Sequence, residues 1–269
     1  MTHWFHERSE REGLGFSLAY SKQVHSEQTP YQQLDIYQTE QFGYLMVLDG
    51  YIMLTTRDNF IYHEMLVHPA LCSHANPENV VIIGGGDCGT LQQVLQHAVK
   101  QVVQIEIDEA VTQAAQRYFP ELCTDNNDPR AQLQFDDGIA WIKQAAPHSI
   151  DIIIVDSTDP VGPAEGLFQQ PFYEACWRAL KPDGVFVQQS ESPLLHFDSI
   201  IQPMQNTLQA VGFIQTQTCH FPQPVYPSGW WSATIASKQP VQQQMRHLNT
   251  RYYNHDIHQA AFVLPQFMR

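Results

Sequence analysis

The sequence predicts an α/β protein with a Rossmann-like, doubly wound and mainly parallel sheet, preceded by a small antiparallel β-unit. From residue 79 onward, apolar runs of strand length alternate with segments of helical periodicity. Glycines at positions 84–86 follow the first of these runs, where a doubly wound fold turns sharply towards its ligand. The run at 150–155 is almost continuously apolar, which is typical of a parallel strand buried on both faces.

The N-terminal part predicts short strands and a hairpin. Its strand-like runs lie at residues 34–37, 44–48 and 51–54. Asp49-Gly50, between the last two runs, is a composition that favours a tight hairpin turn. We therefore expect a β-strand domain at residues 1–57 and a Rossmann-like catalytic domain at residues 58–269.

The rest of the chain predicts strands that alternate with helices. Strands are expected at residues 79–83, 101–108, 131–135, 150–155 and 185–189. Helices are expected at about residues 59–68, 89–98, 109–119, 139–145, 168–180 and 197–211, with a turn at 181–184. A final hairpin pairs residues 213–219 with residues 231–237. Because ligands of doubly wound sheets bind beyond the carboxyl ends of the strands, functional side chains are expected there.

The composition limits the partners of the protein. With 28 acidic against 14 basic residues, the formal charge is −14, so phosphate backbones and anionic lipids are repelled and small cations are attracted. Solubility alone also explains such a charge. We expect no nucleic-acid partner and no membrane partner, since no run approaches the roughly 18 apolar residues of a membrane span. The absence of a signal-peptide pattern and five scattered cysteines predict a cytoplasmic protein.

Three strand ends carry groups suited to a nucleoside. The glycine loop at 84–86 allows close approach, and Glu106, 20 residues beyond Gly86, can accept hydrogen bonds from ribose hydroxyls. Asp137 and Gly138, after the third strand, can reach an adenine amino group. Each carboxylate alone could instead cap a helix or sit in a solvated turn. Together they predict a nucleoside site.

Asp87 indicates which nucleoside compound binds. It occupies the loop where a dinucleotide fold places its pyrophosphate. A carboxylate there repels an anion and attracts a cation. This argues against NAD and for an S-adenosyl sulfonium compound, and it disfavours a ligand with its own carboxylate, such as S-adenosylmethionine.

Asp156 and Asp159, directly after the most apolar strand, predict an amine acceptor site. Pro160 and Pro163 stiffen the loop that follows, which could move as a lid. An alkyl amine with a pKa of about 10.4 is protonated at neutral pH. Its attacking end must lose a proton to a base, while a carboxylate can pair with the charge at its far end. A turn rich in helix caps is the structural alternative.

These residues resemble the signature motifs of bacterial spermidine synthases. The motifs occur in order over nearly the whole chain, and together they are more specific than any single one. They are Val47-Leu48-Asp49-Gly50, Tyr62-His63-Glu64-Met65, residues 82–87, Glu106-Ile107-Asp108, Asp137-Gly138, residues 156–163, Tyr226-Pro227-Ser228-Gly229 and the tail at 251–265.

The resemblance implies transfer of an aminopropyl group from decarboxylated S-adenosylmethionine to putrescine, giving spermidine and methylthioadenosine. That nucleoside is a co-substrate, so neither a cofactor nor a metal is expected. The resemblance also implies a homodimer. The residues implied to hold it are Gln32, Asp87, Glu106, Asp137, Gly138 and Pro163. Asp156 is implied to be the base, helped by Tyr62 and Tyr226. The residues implied to line the diamine channel are His63, Ser157, Thr158 and Asp159.

Other interpretations stay open at this point. A methyltransferase would share this methyltransferase-like fold and the nucleoside half of the site, and a silent binding protein would lack the acceptor acids. His63 and His68 superficially suggest a metal site, but at a spacing of five they diverge by roughly 140° around a helix. Cys88, where relatives commonly have glycine, could be a nucleophile. Cadaverine or agmatine could replace putrescine, because Thr56 and Trp230-Trp231 also depart from the usual pattern.

Overall fold

An antiparallel sheet forms the N-terminal part of the computed structural model, which describes residues 2–159, 162–241, 243–244 and 246–269 but not the side chains of 162 and 163. Its strands are β1 (His3–Ser9), β2 (Leu14–Gln28), β3 (Gln33–Thr39), β4 (Tyr44–Leu48) and β5 (Tyr51–Thr55), paired in chain order. Asp49 and Gly50 have φ values of 51° and 87°, as a tight hairpin turn requires. The predicted antiparallel β-unit is confirmed.

No strand run was identified within β2, although this strand has 15 residues. It is largely exposed, and its pairing with β3 shifts register twice, between Tyr20 and Lys22 and between Gln23 and His25. Each shift reverses which side chains face inward. The strand therefore lacks the regular alternation by which sequence patterns identify strands.

The second sheet has seven strands, and the predicted doubly wound fold is confirmed. They are β6 (Asn79–Gly84), β7 (Gln101–Glu106), β8 (Ala131–Phe135), β9 (Ile150–Asp156), β10 (Leu180–Gln189), β11 (Gln215–Pro222) and β12 (Trp230–Ser237). Their order is β11-β12-β10-β9-β6-β7-β8. Strands β6 to β10 pair in parallel, and β12 pairs antiparallel with both β10 and β11.

Helices cover both faces of this sheet. They are α1 (Asn59–Leu71), α2 (Gly89–Leu95), α3 (Glu109–Tyr118), α4 (Gly138–Gln144), α5 (Gln170–Ala179), α6 (Pro193–His196), α7 (Gln202–Val211) and α8 (His255–Ala260). Alternate residues of each central strand face opposite ways. Accordingly, Val80 and Ile82 pack in a core with α1 and α2, whereas Val81 and Ile83 pack with α4, α5 and α7. No helix in the described ranges has the length and apolar character that crossing a bilayer requires.

Several predicted boundaries were wrong. The turn expected at 181–184 lies inside β10 as an irregularity between Leu180 and Val185. The helix expected at 197–211 is α7 preceded by a π-helical segment, Phe197–Ile201. The helix expected at 168–180 is α5 preceded by a 3-10 helix, Gly162–Phe168. Helix α8 was not predicted. The differences at the two helices lie at the ends of elements, where local patterns are weakest.

The carboxyl ends of β6 and β9 mark the point where the winding of the sheet reverses. Strand β7 lies on one side of β6 and β9 on the other, and Gly84 pairs with Asp156 at the end of the β6–β9 ladder. Helix α3 packs on the inner face of the N-terminal sheet, in a core with Leu34, Met46 and Leu54. The N-terminal sheet is thereby held over the reversal point, where ligands of such folds bind.

The C-terminal segment is anchored on α1 by a buried carboxylate. Glu64, 2% exposed, accepts hydrogen bonds from the backbone N–H groups of Arg251, Tyr252 and Tyr253, each at 2.8 Å. These charge-assisted bonds satisfy a carboxylate that would otherwise be costly to bury. The segment after β12 therefore closes one side of the core around α1.

Two buried histidines link α1 to the end of α2. His68 Nδ1 lies 3.0 Å from His97 Nε2. Burial lowers the pKa of His68 to about 3 and that of His97 to about 2. Both rings are therefore neutral in the folded protein at any pH near neutrality, and both must take up a proton on unfolding below about pH 6.5.

Stability is predicted to fall as the pH drops below 6.5. A histidine with a lowered folded pKa binds more protons when unfolded, so its contribution is present above the unfolded pKa and lost below it, by about 1.4 kcal/mol per pH unit. Urea unfolding at pH 7.5 and 5.5 should show that His97→Gln loses about 1 kcal/mol less than the parent chain. His3→Gln, at an exposed position, should behave like the parent. Equal losses in all three chains would contradict this account.

Candidate active site

A cavity of about 300 Å³ lies between the two sheets, beyond the carboxyl ends of β6, β7, β8 and β9. The N-terminal sheet supplies much of its apolar wall and one carboxylate, Asp49 in the β4–β5 turn, and the doubly wound domain supplies the other carboxylates. The apolar wall includes Met46, Leu48, Met53, Leu54, Ile105, Val111 and Ile139. The carboxylates are Asp49, Asp87, Glu106, Asp137, Asp156 and Asp159. A site of this kind combines space for an apolar ring with strong attraction for cations.

The glycine loop packs directly on the backbone of Asp156. The N–H of Gly85 donates to the Asp156 carbonyl oxygen at 2.8 Å, and a Cβ on Gly84 would lie 2.1 Å from that oxygen. Gly84 and Gly85 also have positive φ values of 85° and 70°. Any other residue at Gly84 would be strained and would clash, so the loop and Asp156 are positioned together.

Asp156 is held by two hydroxyl groups. Its Oδ1 accepts a hydrogen bond from the Tyr62 hydroxyl and its Oδ2 one from the Thr90 hydroxyl, both at 2.6 Å. Burial, and after it the charge of Asp87, raises the pKa of Asp156, although these two bonds oppose the change. The result is an oriented carboxylate with an increased affinity for a proton.

Asp87 forms an ion pair with a histidine behind it. His63 Nε2 lies 3.2 Å from Asp87 Oδ1, and that same oxygen accepts the Gly89 N–H at 2.6 Å. Burial opposes ionisation of both groups, but the pair outweighs it, lowering the pKa of Asp87 and raising that of His63. His63 is 1% exposed and is absent from the cavity wall, contrary to the expectation that it lines a channel.

Glu106 and the glycine loop form one wall of the cavity. Burial raises the pKa of Glu106 to about 7, while its Oε1 accepts the Asp108 N–H at 2.8 Å. A Cβ on Gly86 would lie 2.9 Å from Glu106 Oε2, so glycine is needed there for the carboxylate to face the cavity.

The other residues expected around a nucleoside lie at the same end of the cavity. Asp137 begins α4, where its Oδ1 accepts the N–H groups of Ile139 and Ala140, and Gly138 is buried against Ile83. The Gln32 amide donates to Asp108 at 2.9 Å, which places this side chain on the rim. Pro163 was also expected here, but its side chain lies outside the described part of the chain. Pro160 and Val161 lie wholly outside it.

A smaller cavity of about 40 Å³ shares Tyr51, Met53 and Tyr62 with the larger one. It is lined by Ser157, Thr158, Asp159, Glu7 and Trp231. Burial raises the pKa of Glu7 to about 7, with a further contribution from Asp159. Glu191, 2% exposed, hydrogen-bonds to Asp159, and burial followed by the Asp159 charge raises its pKa well above the usual range. The carboxyl groups of Glu7, Asp159 and Glu191 therefore lie close together. Such a cluster strongly favours binding of a cation.

The hydroxyl group of Tyr226 bonds to the backbone of β5 and not to Asp156. Its hydroxyl donates to the Met53 carbonyl at 2.5 Å, while its ring contacts Tyr62 and Trp231 with centroids 5.8 and 4.7 Å away. Tyr62, not Tyr226, is thus the tyrosine bonded to Asp156. Tyr226 instead connects the doubly wound domain to strand β5 and forms a wall shared by both cavities.

A group of side chains that could attract a metal lies near the amino end of β9, at the opposite end of the sheet from the cavity. Within the described residues, His74, Asp151 and Asp183 are close enough to share an ion. The Nδ1 atom of His74 accepts the Asn76 N–H at 3.2 Å, so the neutral ring carries its proton on Nε2, the atom that faces the two carboxylates. The Lys181 ammonium pairs with Asp151 Oδ2 at 2.9 Å, and the Asn79 N–H donates to the same oxygen at 2.8 Å. Because a cation and a backbone donor already hold this carboxylate, we assign no metal site here.

Sequence reasoning missed Glu7, Thr90 and Glu191. Glu191 follows the carboxyl end of β10 by two residues, so the rule that identified Glu106 and Asp156 could have found it. Thr90 lies in the first turn of α2 and resembles any polar residue at a helix start. Glu7 lies on β1, in the other sheet, and only the packing of β1 against β5, shown by its bond to the Ile52 N–H at 2.6 Å, brings it to the site.

Comparison with known proteins identifies a family that spans the chain. A model described as the spermine/spermidine synthase domain matches residues 59–246, and one described as the spermidine synthase tetramerisation domain matches residues 3–56. A polyamine aminopropyltransferase of Thioalkalivibrio sulfidiphilus is 57% identical, over 99% of this chain and 96% of that protein. A polyamine aminopropyltransferase of Methylococcus capsulatus is 54% identical, over 98% of this chain and 95% of that protein. A crystal structure of spermidine synthase in complex with the transition-state analogue AdoDATO has a TM-score of 0.92 at 35% identity, covering 98% of this chain and 93% of that one.

Gly89→Ala is predicted to disrupt the pair of His63 and Asp87. The added Cβ would lie 2.2 Å from Cε1 of the His63 ring, which is enclosed and cannot retreat. We expect the free energy of unfolding to fall by about 1–3 kcal/mol in urea titrations. Gly166→Ala is the control, because its Cβ would meet only the mobile end of Ile139. Equal effects of the two changes would contradict this packing.

Proposed function

The chain belongs to the spermine/spermidine synthase family and is an aminopropyltransferase, and we propose that it transfers the aminopropyl group of decarboxylated S-adenosylmethionine to putrescine with Asp156 as the proton acceptor. The observation that carries this proposal is the row of carboxyl groups along the joined cavities. Asp87, Asp156 and Asp159 line the larger cavity, Asp159 and Glu7 line the smaller one, and Glu191 is hydrogen-bonded to Asp159. Such a row suits one bound cation, a central base and a second cation.

The nucleoside end of the co-substrate fits the larger cavity. Glu106 faces the cavity beside Gly86 and can accept both ribose hydroxyls, and Asp137 with Gly138 lies at the neighbouring strand end. The apolar side chains of Leu48, Ile107 and Ile139 offer flat contact for a purine. Gln32 closes the rim, and Pro163 is expected to complete this part of the site. Methylthioadenosine leaves as a product, so the nucleoside is a co-substrate and not a cofactor.

Asp87 suits the amino end of the aminopropyl chain. Its pKa is lowered by the pairing with His63, so it is ionised at neutral pH. An ammonium group in the cavity would find a carboxylate already oriented by the Gly89 N–H. A co-substrate that kept its carboxylate would place a second negative charge here, which explains a preference for the decarboxylated form over S-adenosylmethionine itself.

The reaction is a direct displacement. The free amine nitrogen of putrescine attacks the aminopropyl carbon bonded to sulfur, a C–N bond forms as the C–S bond breaks, and methylthioadenosine departs as a neutral thioether. The attacking nitrogen gives one proton to Asp156. Holding both substrates in line supplies much of the acceleration, and the rigid contact between the glycine loop and Asp156 fixes the two halves of the site relative to each other.

Asp156 is suited to be that base. Burial raises its pKa, so it binds a proton more readily than an exposed aspartate, which favours removal of a proton from an alkylammonium ion. The Tyr62 and Thr90 hydroxyls occupy one lone pair on each oxygen and orient the remaining ones. Tyr226 supports the wall beside Tyr62 and does not bond to the base.

The far ammonium of putrescine suits the smaller cavity. Ser157, Thr158, Asp159 and Glu7 line it, and Glu191 lies behind Asp159, to which it is hydrogen-bonded. An ammonium placed there would favour ionisation of Glu7 and Glu191, whose pKa values are raised without it. His63 acts from behind Asp87 rather than in the channel. Cadaverine or agmatine would have to fit the same 40 Å³ end beside Trp231, which favours the shorter diamine.

Assembly and location complete the proposal. The match of residues 3–56 to a tetramerisation domain supports self-association, and a homodimer remains our expectation for the smallest assembly. The five cysteines are free thiols, which supports a reducing, cytoplasmic compartment. Sedimentation velocity would distinguish monomer, dimer and tetramer.

Asp156→Asn is predicted to lower kcat by about 10²–10⁴-fold, because general-base catalysis typically contributes that much. Methylthioadenosine binding, measured by calorimetry, should change no more than a few fold. Asp198→Asn, on an exposed carboxylate of the π-helical segment, should leave both unchanged. Equal loss of binding and turnover would mean that Asp156 is structural. Methyl transfer from S-adenosylmethionine without aminopropyl transfer would overturn the proposed function.

Glu191→Gln is predicted to weaken discrimination between putrescine and 1-aminobutane, which lacks the far ammonium. The parent enzyme should strongly prefer putrescine in kcat/KM, and the variant should lose about tenfold of that preference, since an ammonium loses a buried carboxyl partner. Rates with 1-aminobutane should change little. Glu174→Gln, on the exposed side of α5, is the matched control. An unchanged ratio would remove Glu191 from the acceptor site.

A further inference from the structure

Two cysteines meet directly behind Asp87. Cys88 follows Asp87 in the chain and Cys123 follows the 3-10 helix Pro120–Leu122, and their thiols hydrogen-bond to each other. The Asn126 amide donates to Cys88 Sγ at 3.3 Å, and Cys123 Sγ donates to the Asp87 carbonyl oxygen at 3.8 Å. The two sulfur atoms are therefore in contact and individually held.

The environments of the two thiols are complementary. Cys88 is fully buried, whereas Cys123 is partly exposed. The interaction with the Cys123 thiol outweighs burial and lowers the pKa of the Cys88 thiol. The same interaction, together with burial, raises the pKa of the Cys123 thiol. Cys72, Cys176 and Cys219 differ, because burial raises the pKa of each of those thiols. The pair combines an accessible sulfur with a neighbour able to act as a thiolate.

We propose that Cys88 and Cys123 are a redox modification site, which closes to a disulfide in the presence of a small-molecule disulfide and reopens with a thiol. Nothing in the proposed aminopropyl transfer uses either sulfur. The cysteines of a protein in a reducing compartment form disulfides mainly as transient, sensing events, and contact between two thiols is the first requirement for one.

The exchange occurs in two balanced steps. The partly exposed Cys123 thiol attacks one sulfur of the small disulfide and passes its proton to the neighbouring Cys88 thiolate. The small S–S bond breaks, and the small thiolate that leaves takes this proton from Cys88. The Cys88 thiolate then attacks Cys123 Sγ, so the protein S–S bond forms and the second small thiolate leaves with the other proton. The two protein thiols are oxidised by two electrons, and the small disulfide is reduced to two thiols.

Closure would reach Asp87 through its backbone. A disulfide needs an S–S distance of about 2.05 Å, so the two segments must approach more closely than their present contact. The bond from Cys123 to the Asp87 carbonyl loses its hydrogen, and Cys88, which holds a φ of 69° at the start of α2, must adjust. Resting on the proposed role of Asp87, we expect the oxidised enzyme to bind decarboxylated S-adenosylmethionine poorly.

The test is to treat the folded enzyme with oxidised glutathione at neutral pH and to measure two independent quantities. Peptide mapping by mass spectrometry under non-reducing conditions should find Cys88 joined to Cys123, with two hydrogen atoms lost. Aminopropyl transfer should fall by about 10- to 100-fold, as expected for a displacement of about 1 Å at a binding group. Dithiothreitol should reverse both changes.

Two variants separate this site from other oxidation. Cys88→Gly accommodates the positive φ of that position, and Cys123→Ser keeps a donor for the Asp87 carbonyl. Both should keep full activity with oxidised glutathione. Failure of the linked peptide to form, or an equal loss of activity in the Cys123→Ser variant, would overturn the proposal. A linked enzyme of unchanged activity would also overturn it. Inactivity of the reduced parent enzyme would count against the proposed function instead, because the peptide map does not depend on catalysis.

Discussion

The contact between the glycine loop and the Asp156 carbonyl oxygen is the constraint on which the site depends. It exists because β6 and β9 are neighbours at the point where the sheet reverses its winding, and because Gly84 and Gly85 have no side chains to separate them. One hydrogen bond of 2.8 Å thus joins the loop that carries Asp87 to the strand that carries Asp156. The nucleoside half and the acceptor half of the site therefore behave as one rigid body. Catalysis by alignment requires this, since neither half can drift relative to the other.

Around that contact the protein gathers negative charge that it only partly neutralises. His63 balances Asp87, and hydroxyl groups orient Asp156, but Glu7, Glu106 and Glu191 are buried with raised pKa values. Such groups carry protons or cost free energy while the site lacks a cation. Cationic substrates relieve this cost when they bind, so part of their affinity is prepared in the folded protein. The net charge of −14 on the whole chain also attracts cations.

Local patterns in the sequence were sufficient for the core of the fold and for half of the site. Alternation of apolar runs predicted β6 to β10, and the rule that ligands meet strand ends led to Asp87, Glu106, Asp137 and Asp156. Glu7 could not be found this way, because its place at the acceptor end arises from packing of β1 against β5, the first and last strands of the N-terminal sheet. Thr90 was hidden among ordinary helix-start residues. The length of β2 was missed because its bulges reverse the pattern of exposure. Of the missed residues, Glu7 depends on a contact between elements distant in the chain, whereas Glu191 lies two residues beyond β10, where the strand-end rule applies.

The anchoring of the C-terminal segment by Glu64 has a consequence for biosynthesis. The backbone donors of this buried carboxylate come 187 to 189 residues later in the chain. All seven strands of the doubly wound sheet lie between Glu64 and these donors in the sequence. During translation, α1 is made early but has no partner for its internal charge until nearly all of the protein has emerged. The helix that carries Tyr62 and His63 therefore cannot settle into its native surroundings on a nascent chain. A nascent chain that has not yet reached Arg251 would therefore lack the donors that Glu64 requires.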